Sequence, residues 1–332
     1  MEIRELDVQD DAALRRFHQI GWRAEKEDGR PWNAFWTLDE IGPALREQTA
    51  DQRLVPLCLF DGDEMVAGGV VGMSLLDNVD KAWVFPAVEP ERRGQGLGSR
   101  LLDGLVEHAR ANGRSLALSG MAVPFEERET SGLLRFAERH GFHLANTEIV
   151  RVLPLPVADE LLDEIERETA PHHRDYVLET YVDELPERHL AAYSHLRNQL
   201  GLDAPTGEVD WEEEQATPEI ERQKLERSRR SGRRTVITLA VHDGEAVAHS
   251  DVFVPPGSTE VLQMGTLVRR DHRGHRLGTA VKIANLRALQ RACPDATEVK
   301  TQNAETNAWM VGINVRLGFR PVGVVPEYLR EI

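Results

Sequence analysis

Two glycine-rich segments have the composition of anion-binding turns. PERRGQGLGSRLL begins at Pro90, and RDHRGHRLGTAVK begins at Arg270. In each, an Arg-Gly pair and a second glycine stand immediately before an apolar run with helical spacing. Glycine lets the backbone curl without a Cβ in the way, so the free N–H groups at the helix start can converge on one point. Such a turn suits a phosphate or pyrophosphate, and the arginine adds a fixed cation.

Two well-known phosphate-binding motifs do not fit these turns. A P-loop needs Gly-Lys followed by Ser or Thr at the helix start, and neither segment has it. The dinucleotide-binding pattern needs G-x-G-x-x-G directly after the first strand of a βαβ unit, whereas a hairpin pattern precedes both turns. A tight turn into a helix that binds nothing is the alternative interpretation.

Two further landmarks recur in the same order. LCLFDGDEMVAGGVVGM from Leu57 and ITLAVHDGEAVAHSDVFV from Ile237 both predict a β-hairpin with an Asp-Gly turn. AERHGF ends at Phe142, and NVRLGF ends at Phe319. The three pairs of landmarks are offset by 177 to 182 residues, so the sequence predicts a tandem duplication.

The predicted boundary between the halves lies in the segment RVLPLPVADE. Pro154 and Pro156 stiffen this segment and cannot donate ladder hydrogen bonds, which is typical of a strand end that passes into a linker. We therefore predict domains at residues 1–154 and 155–332. Each half has the predicted order helix, helix, hairpin, strand, glycine turn, helix, strand, helix, strand.

The composition sets the class of protein. The chain has 332 residues, 41% of them hydrophobic, and a formal net charge of −16. We expect a globular protein that binds neither nucleic acid nor membranes, although the basic segment 222–234 is either solvated or in contact with a cofactor phosphate. No apolar run approaches the roughly 20 residues of a membrane helix, and the first residues lack a secretory pattern. With two cysteines outside any motif, we expect a cytoplasmic protein without a metal site.

The first glycine turn resembles a family signature. RRGQGLG is similar to the Arg/Gln-x-x-Gly-x-Gly/Ala signature of GNAT N-acetyltransferases, with Arg93, Gly96 and Gly98 at the marked positions. The preceding VFPAVEPERRG looks like that family's fourth strand, and the closing Gly-Phe also agrees. The resemblance covers both halves; mycothiol synthases have the same two-domain layout, although no residue match singles them out. It implies the α/β (α+β) fold class, with two tandem GNAT-like domains that each have a mixed, mostly antiparallel twisted sheet flanked by helices.

The resemblance implies an N-acetyltransferase that uses acetyl-CoA as co-substrate. In this family the loop N–H groups hold the CoA pyrophosphate, the pantetheine arm lies between two splayed strands, and N–H groups of the fourth strand polarise the thioester carbonyl. The amine then attacks directly, without an acyl-enzyme. The residues matched to this site are Val88, Arg93, Gly94, Gln95, Gly96, Leu97 and Gly98 in the first half, and Leu267, Val268, Arg273, Gly274, His275, Arg276, Leu277, Gly278, Asn303 and Asn307 in the second.

The two halves differ in ways that favour the second for catalysis. The first keeps the better glycine loop, but Pro86 removes a backbone donor from the strand before it. In the second, the strand through Leu267 and Val268 is uninterrupted, while Arg276 replaces the middle glycine. We predict a negative φ at Arg276, which lets its cation face the phosphate; a positive φ would strain the loop.

Asparagines provide a second mark of that half. The segment TQNAETNAWMVGIN resembles the family's asparagine-bearing turn between strand and helix. There Asn303 and Asn307 would hydrogen-bond the pantetheine or the loop. Capping of the helix by Asn303 or Thr306 is the alternative.

The usual acid of the family has no counterpart here. Many GNAT enzymes have a tyrosine five residues before the closing phenylalanine, where it protonates the leaving thiolate; Ala137 and Asn314 occupy this position. A thiol pKa near 8.5 allows the thiolate to leave unaided or with help from water. For the general base the candidates are Glu260, His249 and Asp251, and a surface or internally paired role is the alternative for each.

The expected acceptor is the amine of a small molecule. The segment DAPTGEVDWEEEQ, with six carboxylates around Trp211, either attracts a cationic amine or is a solvated loop. Trp32 and Trp36 either line an acceptor pocket or pack in the interior. A silent acyl-CoA-binding sensor or scaffold and a protein N-acetyltransferase are the alternative functions. We expect a monomer whose domain pair mimics a dimer.

Overall fold

The computed structural model describes residues 1–27 and 29–332. Close contacts between residues divide the chain into two compact units. The first comprises residues 1–149, 206–211 and 322–332, and the second comprises residues 150–205 and 212–321. The predicted domain boundary at residue 155 is derived from the sequence repeat and stays a prediction.

The secondary structure repeats along the chain. Residues 1–154 form β1 (Glu2–Glu5), α1 (Asp11–Trp22), α2 (Leu38–Arg46), β2 (Gln52–Asp61), β3 (Glu64–Ser74), β4 (Lys81–Ala87), α3 (Leu97–Ala111), β5 (Leu116–Gly120), β6 (Val123–Pro124), α4 (Gly132–Arg139) and β7 (His143–Pro154). Residues 155–332 form α5 (Asp159–Thr169), β8 (Val177–Val182), α6 (Glu187–Asp203), α7 (Pro218–Arg230), β9 (Arg234–His242), β10 (Glu245–Val254), β11 (Glu260–Val268), α8 (Leu277–Ala292), β12 (Glu298–Ala304), α9 (Ala308–Leu317) and β13 (Arg320–Glu331). The predicted order lacks β1 and β8 because neither strand has a buried residue, so no apolar alternation marks them.

The first unit is a mixed sheet with the strand order β1-β2-β3-β4-β5-β13. Neighbouring strands are antiparallel, except that β4 and β5 are parallel. The predicted apolar stripe of α3 is buried against this sheet, and Leu101 and Leu105 are fully enclosed. The stripe arises because apolar residues at a spacing of three or four fall on one helical face.

The second unit has the matching strand order β12-β11-β10-β9-β8. Its one parallel pair among these strands is β11 with β12. The β9–β10 hairpin turns at Asp243 and Gly244, whose φ values of +50° and +82° suit the two-residue turn that Asp-Gly favours. Among the described helices of the chain, none is long and apolar enough to cross a bilayer.

The last strand of the chain completes the first unit. β13 pairs with β5, with Glu327 opposite Gly120. Val324 and Tyr328 on β13 are buried in the core that also contains the α3 stripe. Position in the sequence alone assigns β13 to the second half, because it directly follows α9. The core of the first unit therefore depends on residues from the end of the chain.

Replacing Tyr328 with alanine should lower the free energy of unfolding of the first unit by about 3 kcal/mol, because it leaves a cavity under β13. Glu331→Ala, at the exposed end of the same strand, is the matched control and should change it by less than about 0.5 kcal/mol. Urea unfolding followed by circular dichroism measures both. Equal losses in the two variants would contradict the place of Tyr328 in the core.

Candidate active site

The glycine loop of the first unit lies between β4 and α3. Gly94 and Gly96 have φ values of +75° and +78°, which only glycine adopts freely. Gly96 precedes α3 and offers no side-chain hydrogen bond to the helix start. Arg93 donates from Nε to the Val88 carbonyl at 3.3 Å, which holds the beginning of the loop. The loop therefore has the backbone geometry of an anion-binding turn with an arginine beside it.

A cavity of about 730 Å³ opens beside this loop. β4 and β5 pair only between residues 81–83 and 116–118. Beyond the paired residues both strands line the cavity, through Phe85 and Pro86 on one side and Gly120 on the other. Helices α3 and α4 supply further lining residues, including Leu102 and Ala137. The cavity is therefore a gap between two parallel strands with the glycine loop at its mouth.

Most of the CoA-site residues predicted in the first half line this cavity: Val88, Arg93, Gly94, Gly96 and Gly98. Gln95 is exposed on the loop, and Leu97 is buried in the core as the first residue of α3. The structure thus brings together the arginine and the glycines and leaves the two intervening side chains outside the cavity.

The two tryptophans considered for an acceptor pocket lie elsewhere. Trp32 packs against β13, since a β-carbon on Gly323 would lie 2.1 Å from its ring. The carbonyl of Trp36 lies 2.9 Å from His18 Nε2. Neither tryptophan lines the cavity.

An aromatic stack lies along one face of β4. Phe85 and Trp83 stack with centroids 5.6 Å apart and planes 3° apart. Trp211 stacks on Trp83 at 6.2 Å and 17°, and Lys81 Nζ lies 5.8 Å from the Trp211 ring. Trp211 is the tryptophan of the acidic segment, and the structure places residues 206–211 in the first unit. Phe85, at the other end of the stack, is 44% exposed and is among the residues that line the cavity.

Two carboxylates lie near this cavity, and no motif marked them. Glu327 on β13 lies opposite the cavity residue Gly120, and Asn146 donates to Glu327 at 2.9 Å. Burial, and then the charge of Glu327, raise the pKa of Glu148 to about 7. Burial also raises the pKa of Glu327. Sequence reasoning missed both because they come from the closing strands β7 and β13, far from the loop in sequence.

The glycine loop of the second unit has Arg276 where the first loop has Gly96. Gly274 has a φ of +90°, and Arg276 has a φ of +57°. The predicted negative φ at Arg276 is therefore wrong, because the loop needs the left-handed region here just as it does at Gly96. A residue with a Cβ is strained in that region, so the second loop carries a backbone strain energy that glycine spares the first loop.

Side chains of the second loop have partners within the unit. Arg273 donates from Nε to the Val268 carbonyl at 3.2 Å, and its Nη2 pairs with Asp203 at 2.6 Å. His275 Nδ1 lies 3.2 Å from the His172 carbonyl. Leu277 is buried in the core, as Leu97 is in the first unit. The arginine of the motif is therefore held by a carboxylate in this unit.

The strand before the second loop offers one of the two predicted backbone donors. Arg269 N donates to the Val247 carbonyl at 2.9 Å, and Leu267 lies opposite His249. In an antiparallel ladder the bonded pairs alternate, so the Leu267 N–H points into the ladder and the Val268 N–H points to the other edge. The prediction of a free donor at Leu267 is therefore wrong, and the donor role of Val268 stays a prediction. Beyond residues 260–262 that edge is no longer paired with β12.

The asparagines of the second unit are used within the fold. The side chain of Asn307 accepts a hydrogen bond from the Met310 N–H at 3.1 Å and caps α9, so the cap is Asn307 and neither Asn303 nor Thr306. Asn314 donates to Asn303 Oδ1 at 2.7 Å. Their contacts are those of structural residues.

The predicted bases also have protein partners. His249 Nδ1 lies 2.9 Å from Asp251, and Arg197 pairs with Asp251 at 2.8 Å. Burial opposes ionisation of Asp251, but Arg197 and His249 hold the pKa of this carboxyl below its ordinary value. Lys300 Nζ lies 2.8 Å from Glu260. Among the described residues, no three His, Cys, Asp or Glu side chains are grouped to hold a metal ion.

Comparison with known proteins assigns the segment that contains the first glycine loop to a family. Residues 57–144 match the family model described as an acetyltransferase (GNAT) domain. This range contains the hairpin, β4, the glycine loop, α3, β5 and α4. Residues 57–144 form a GNAT domain. A mycothiol acetyltransferase of Rothia mucilaginosa (strain DY-18) is 28% identical over 188 residues, which are 55% of this chain and 52% of that protein. The match thus spans about half the length of this relative.

Solved structures extend the GNAT fold over the whole chain. A tandem GNAT protein from the clavulanic acid biosynthesis pathway has a TM-score of 0.80 and 26% identity, and the match covers 99% of this chain and 98% of that one. A GCN5-related N-acetyltransferase from Sphaerobacter thermophilus shares the fold, with a TM-score of 0.64, 17% identity and coverage of 99% and 95%. The predicted family, fold class and tandem GNAT layout are therefore confirmed.

Arg276→Gly should stabilise the second GNAT unit by about 1 kcal/mol, because glycine relieves the left-handed backbone strain. Arg291→Gly, on an exposed position of α8, is the matched control and should cost about 1 kcal/mol through its helix propensity. Thermal and urea unfolding measure both. A loss of stability in Arg276→Gly would mean that the arginine side chain contributes more than the strain removes.

Glu148→Gln should stabilise the chain at high pH. The folded-state pKa of Glu148 is about 7, above the ordinary value near 4.3, so the folded state binds this proton more tightly than the unfolded state does. The wild type therefore loses stability as the pH rises from about 4 through 7. The variant should match it at pH 4 and exceed it by up to ~3 kcal/mol at pH 8. Glu107→Gln, on the exposed face of α3, should show no such pH-dependent difference in unfolding.

Proposed function

We propose that the chain is an N-acetyltransferase that uses acetyl-CoA, with both the co-substrate site and the chemistry in the first GNAT unit. The observation that carries this proposal is the cavity between β4 and β5, with the glycine loop at its mouth. The family match at residues 57–144 supports the same unit. This differs from the expectation, based on Pro86 and the intact strand of the second half, that the second unit is the catalytic one.

In this proposal, different residues of the first unit bind the pyrophosphate, bind the pantetheine arm and polarise the thioester. The N–H groups at the start of α3, with Arg93 beside them, would bind the pyrophosphate. The gap between β4 and β5 would take the pantetheine arm, with one donor fewer because of Pro86. The N–H of Val88, the counterpart of Val268, would polarise the thioester carbonyl.

The transfer itself needs little from side chains. A neutral amine attacks the thioester carbonyl, the new C–N bond forms, and the C–S bond breaks as the thiolate leaves. Ala137 stands where relatives have a tyrosine acid, and a thiolate is a tolerable leaving group without one. Because Glu260, His249 and Asp251 lie in the second unit with partners of their own, the proposal gives them no role in the transfer.

The acceptor in this proposal is a small-molecule amine, as the name of the mycothiol acetyltransferase relative suggests. We place the protein in the cytoplasm as a monomer, where its free cysteines, Cys58 and Cys293, stay reduced. An acyl-CoA sensor without turnover is the second candidate, favoured by the absence of a tyrosine at Ala137.

Gly98→Trp should abolish acetyl-CoA binding and acetyl transfer. A β-carbon at Gly98 points at Phe136 and Val88, so an indole there would fill the cavity. Gly278→Trp is the matched control, since Gly278 has the equivalent position on α8 beside Val268, and it should leave the transfer intact. Calorimetric titration with acetyl-CoA and a thiol-release assay over a panel of amines measure binding and turnover, and circular dichroism verifies folding.

The other possible results with Gly98→Trp, Gly278→Trp and the wild type each support a different conclusion. Loss of transfer in Gly278→Trp alone would assign the chemistry to the second unit, as the sequence suggested. Binding of acetyl-CoA without acetylation of any amine would support the sensor. Absence of binding to the wild type would reject both functions.

A further inference from the structure

The aromatic stack of the first unit has one closed end and one open end. At the closed end, the ammonium of Lys81 lies 5.8 Å from the Trp211 ring. At the open end, Trp83 stacks on Phe85, which is 44% exposed and is one of the residues that line the cavity. An aromatic face attracts a cation within about 6 Å of its centroid. The fold already uses this attraction at one end of the stack, and the residue at the other end is exposed and belongs to the cavity lining.

The carboxylates beside the cavity have no cation of their own. Among the described residues, no Lys, Arg or His pairs with Glu148 or Glu327. The hydrogen bond from Asn146 is neutral and satisfies one oxygen of Glu327. Burial raises the pKa of both carboxyl groups, and the charge of Glu327 raises the pKa of Glu148 further. A bound cation would oppose both effects.

The aromatic ring and the carboxylates lie on the same face of the sheet. Residues directly opposite on antiparallel strands point to one face with Cα atoms about 5 Å apart, so Glu327 shares the face of Gly120. A β-carbon at Gly120 would point at Val325 and at the Trp83 ring. Trp83 and Phe85 are two positions apart on β4, so both side chains point to this face. Phe85 and Gly120 line the cavity, and Glu327 is the neighbour of Gly120 on the same face of the sheet.

We propose that the acceptor of the first unit is an organic amine that is cationic in water, bound between the exposed ring of Phe85 and the carboxylates of Glu327 and Glu148. The proposal rests on the proposed function, because it names the acceptor of that transfer. It excludes amines whose nitrogen carries no charge and disfavours those with a carboxylate beside the nitrogen. The segments 206–211 and 322–332 supply Trp211 and Glu327 to this subsite.

The same carboxylates account for the proton that the acceptor must lose. An ammonium has no lone pair, so it gives one proton to the carboxylate pair before the nitrogen attacks the thioester. The C–N bond then forms, the C–S bond breaks, and the second proton of the nitrogen leaves with the thiolate or to water. A carboxylate whose pKa lies near neutrality is a better proton acceptor than an ordinary one.

Binding of benzylamine and of benzyl alcohol to the full chain tests the proposal without turnover. Both probes have the same ring and nearly the same size, but only benzylamine is a cation at pH 7.5. In the chain saturated with CoA, calorimetry should show benzylamine binding at least about tenfold more tightly. The double variant Glu148→Gln with Glu327→Gln should remove this preference and leave CoA affinity unchanged. Phe85→Leu should weaken benzylamine about fivefold, and Glu107→Gln should change nothing.

The controls separate this proposal from the proposed function. Equal binding of the two probes, or an unchanged preference in the double variant, would overturn the cationic acceptor while CoA binding stands. If CoA does not bind, the proposed function fails, and the same two titrations on the free chain still decide whether the cation subsite exists. In the thiol-release assay, benzylamine should be acetylated at least tenfold faster than phenylglycine, which adds a carboxylate; the reverse order would also overturn the proposal.

Discussion

A parallel strand pair that stops after three residues is the constraint on which both GNAT units depend. β4 and β5 pair over residues 81–83 and 116–118, and β11 and β12 pair over residues 260–262 and 298–300. Beyond these residues the two strands of each pair no longer hydrogen-bond each other, and backbone N–H and C=O groups need other partners when they are shielded from water. An extended ligand with amide groups can supply those partners as an added strand would. The interrupted ladder thus links the fold to the binding of such a ligand.

The walls of this gap differ between the two units. Leu102 and Ala137 line the cavity of the first unit, and the equivalent residues of the repeat are Lys282 and Asn314, both buried. Lys282 donates to Gln263 at 3.1 Å, and burial lowers its pKa to about 7. An apolar wall leaves the backbone as the main hydrogen-bonding surface for a ligand, whereas buried polar side chains must first satisfy one another. This difference, together with strain in one loop, is the physical ground for preferring the first unit as the acyl-CoA site.

Local patterns predicted much of the fold, and long-range packing decided the rest. The hairpins, the glycine turns and the α3 stripe follow from periods of 2 and 3.6 and from the demands of tight turns, which act within a few residues. The φ of Arg276 could not be predicted in this way, because a side chain at a loop position does not reveal the backbone angle that the loop imposes. The catalytic unit could not be chosen from Pro86 alone for a related reason: a cavity depends on how α4 and β5 pack, and one missing donor does not close it. Glu148, Glu327 and Trp211 belong to three distant segments, and no spacing connects them.

The place of those segments also shows that the boundary of the sequence repeat and the boundary of the first unit differ. Residues 206–211 and 322–332 follow the boundary of the repeat, yet they belong to the first unit. A chain cut after residue 154 would keep the glycine loop but lose the buried Val324 and Tyr328, one ring of the aromatic stack and one carboxylate. The sequence repeat therefore ends before the first unit does, and that unit needs residues from beyond residue 154 to complete its core and its aromatic stack.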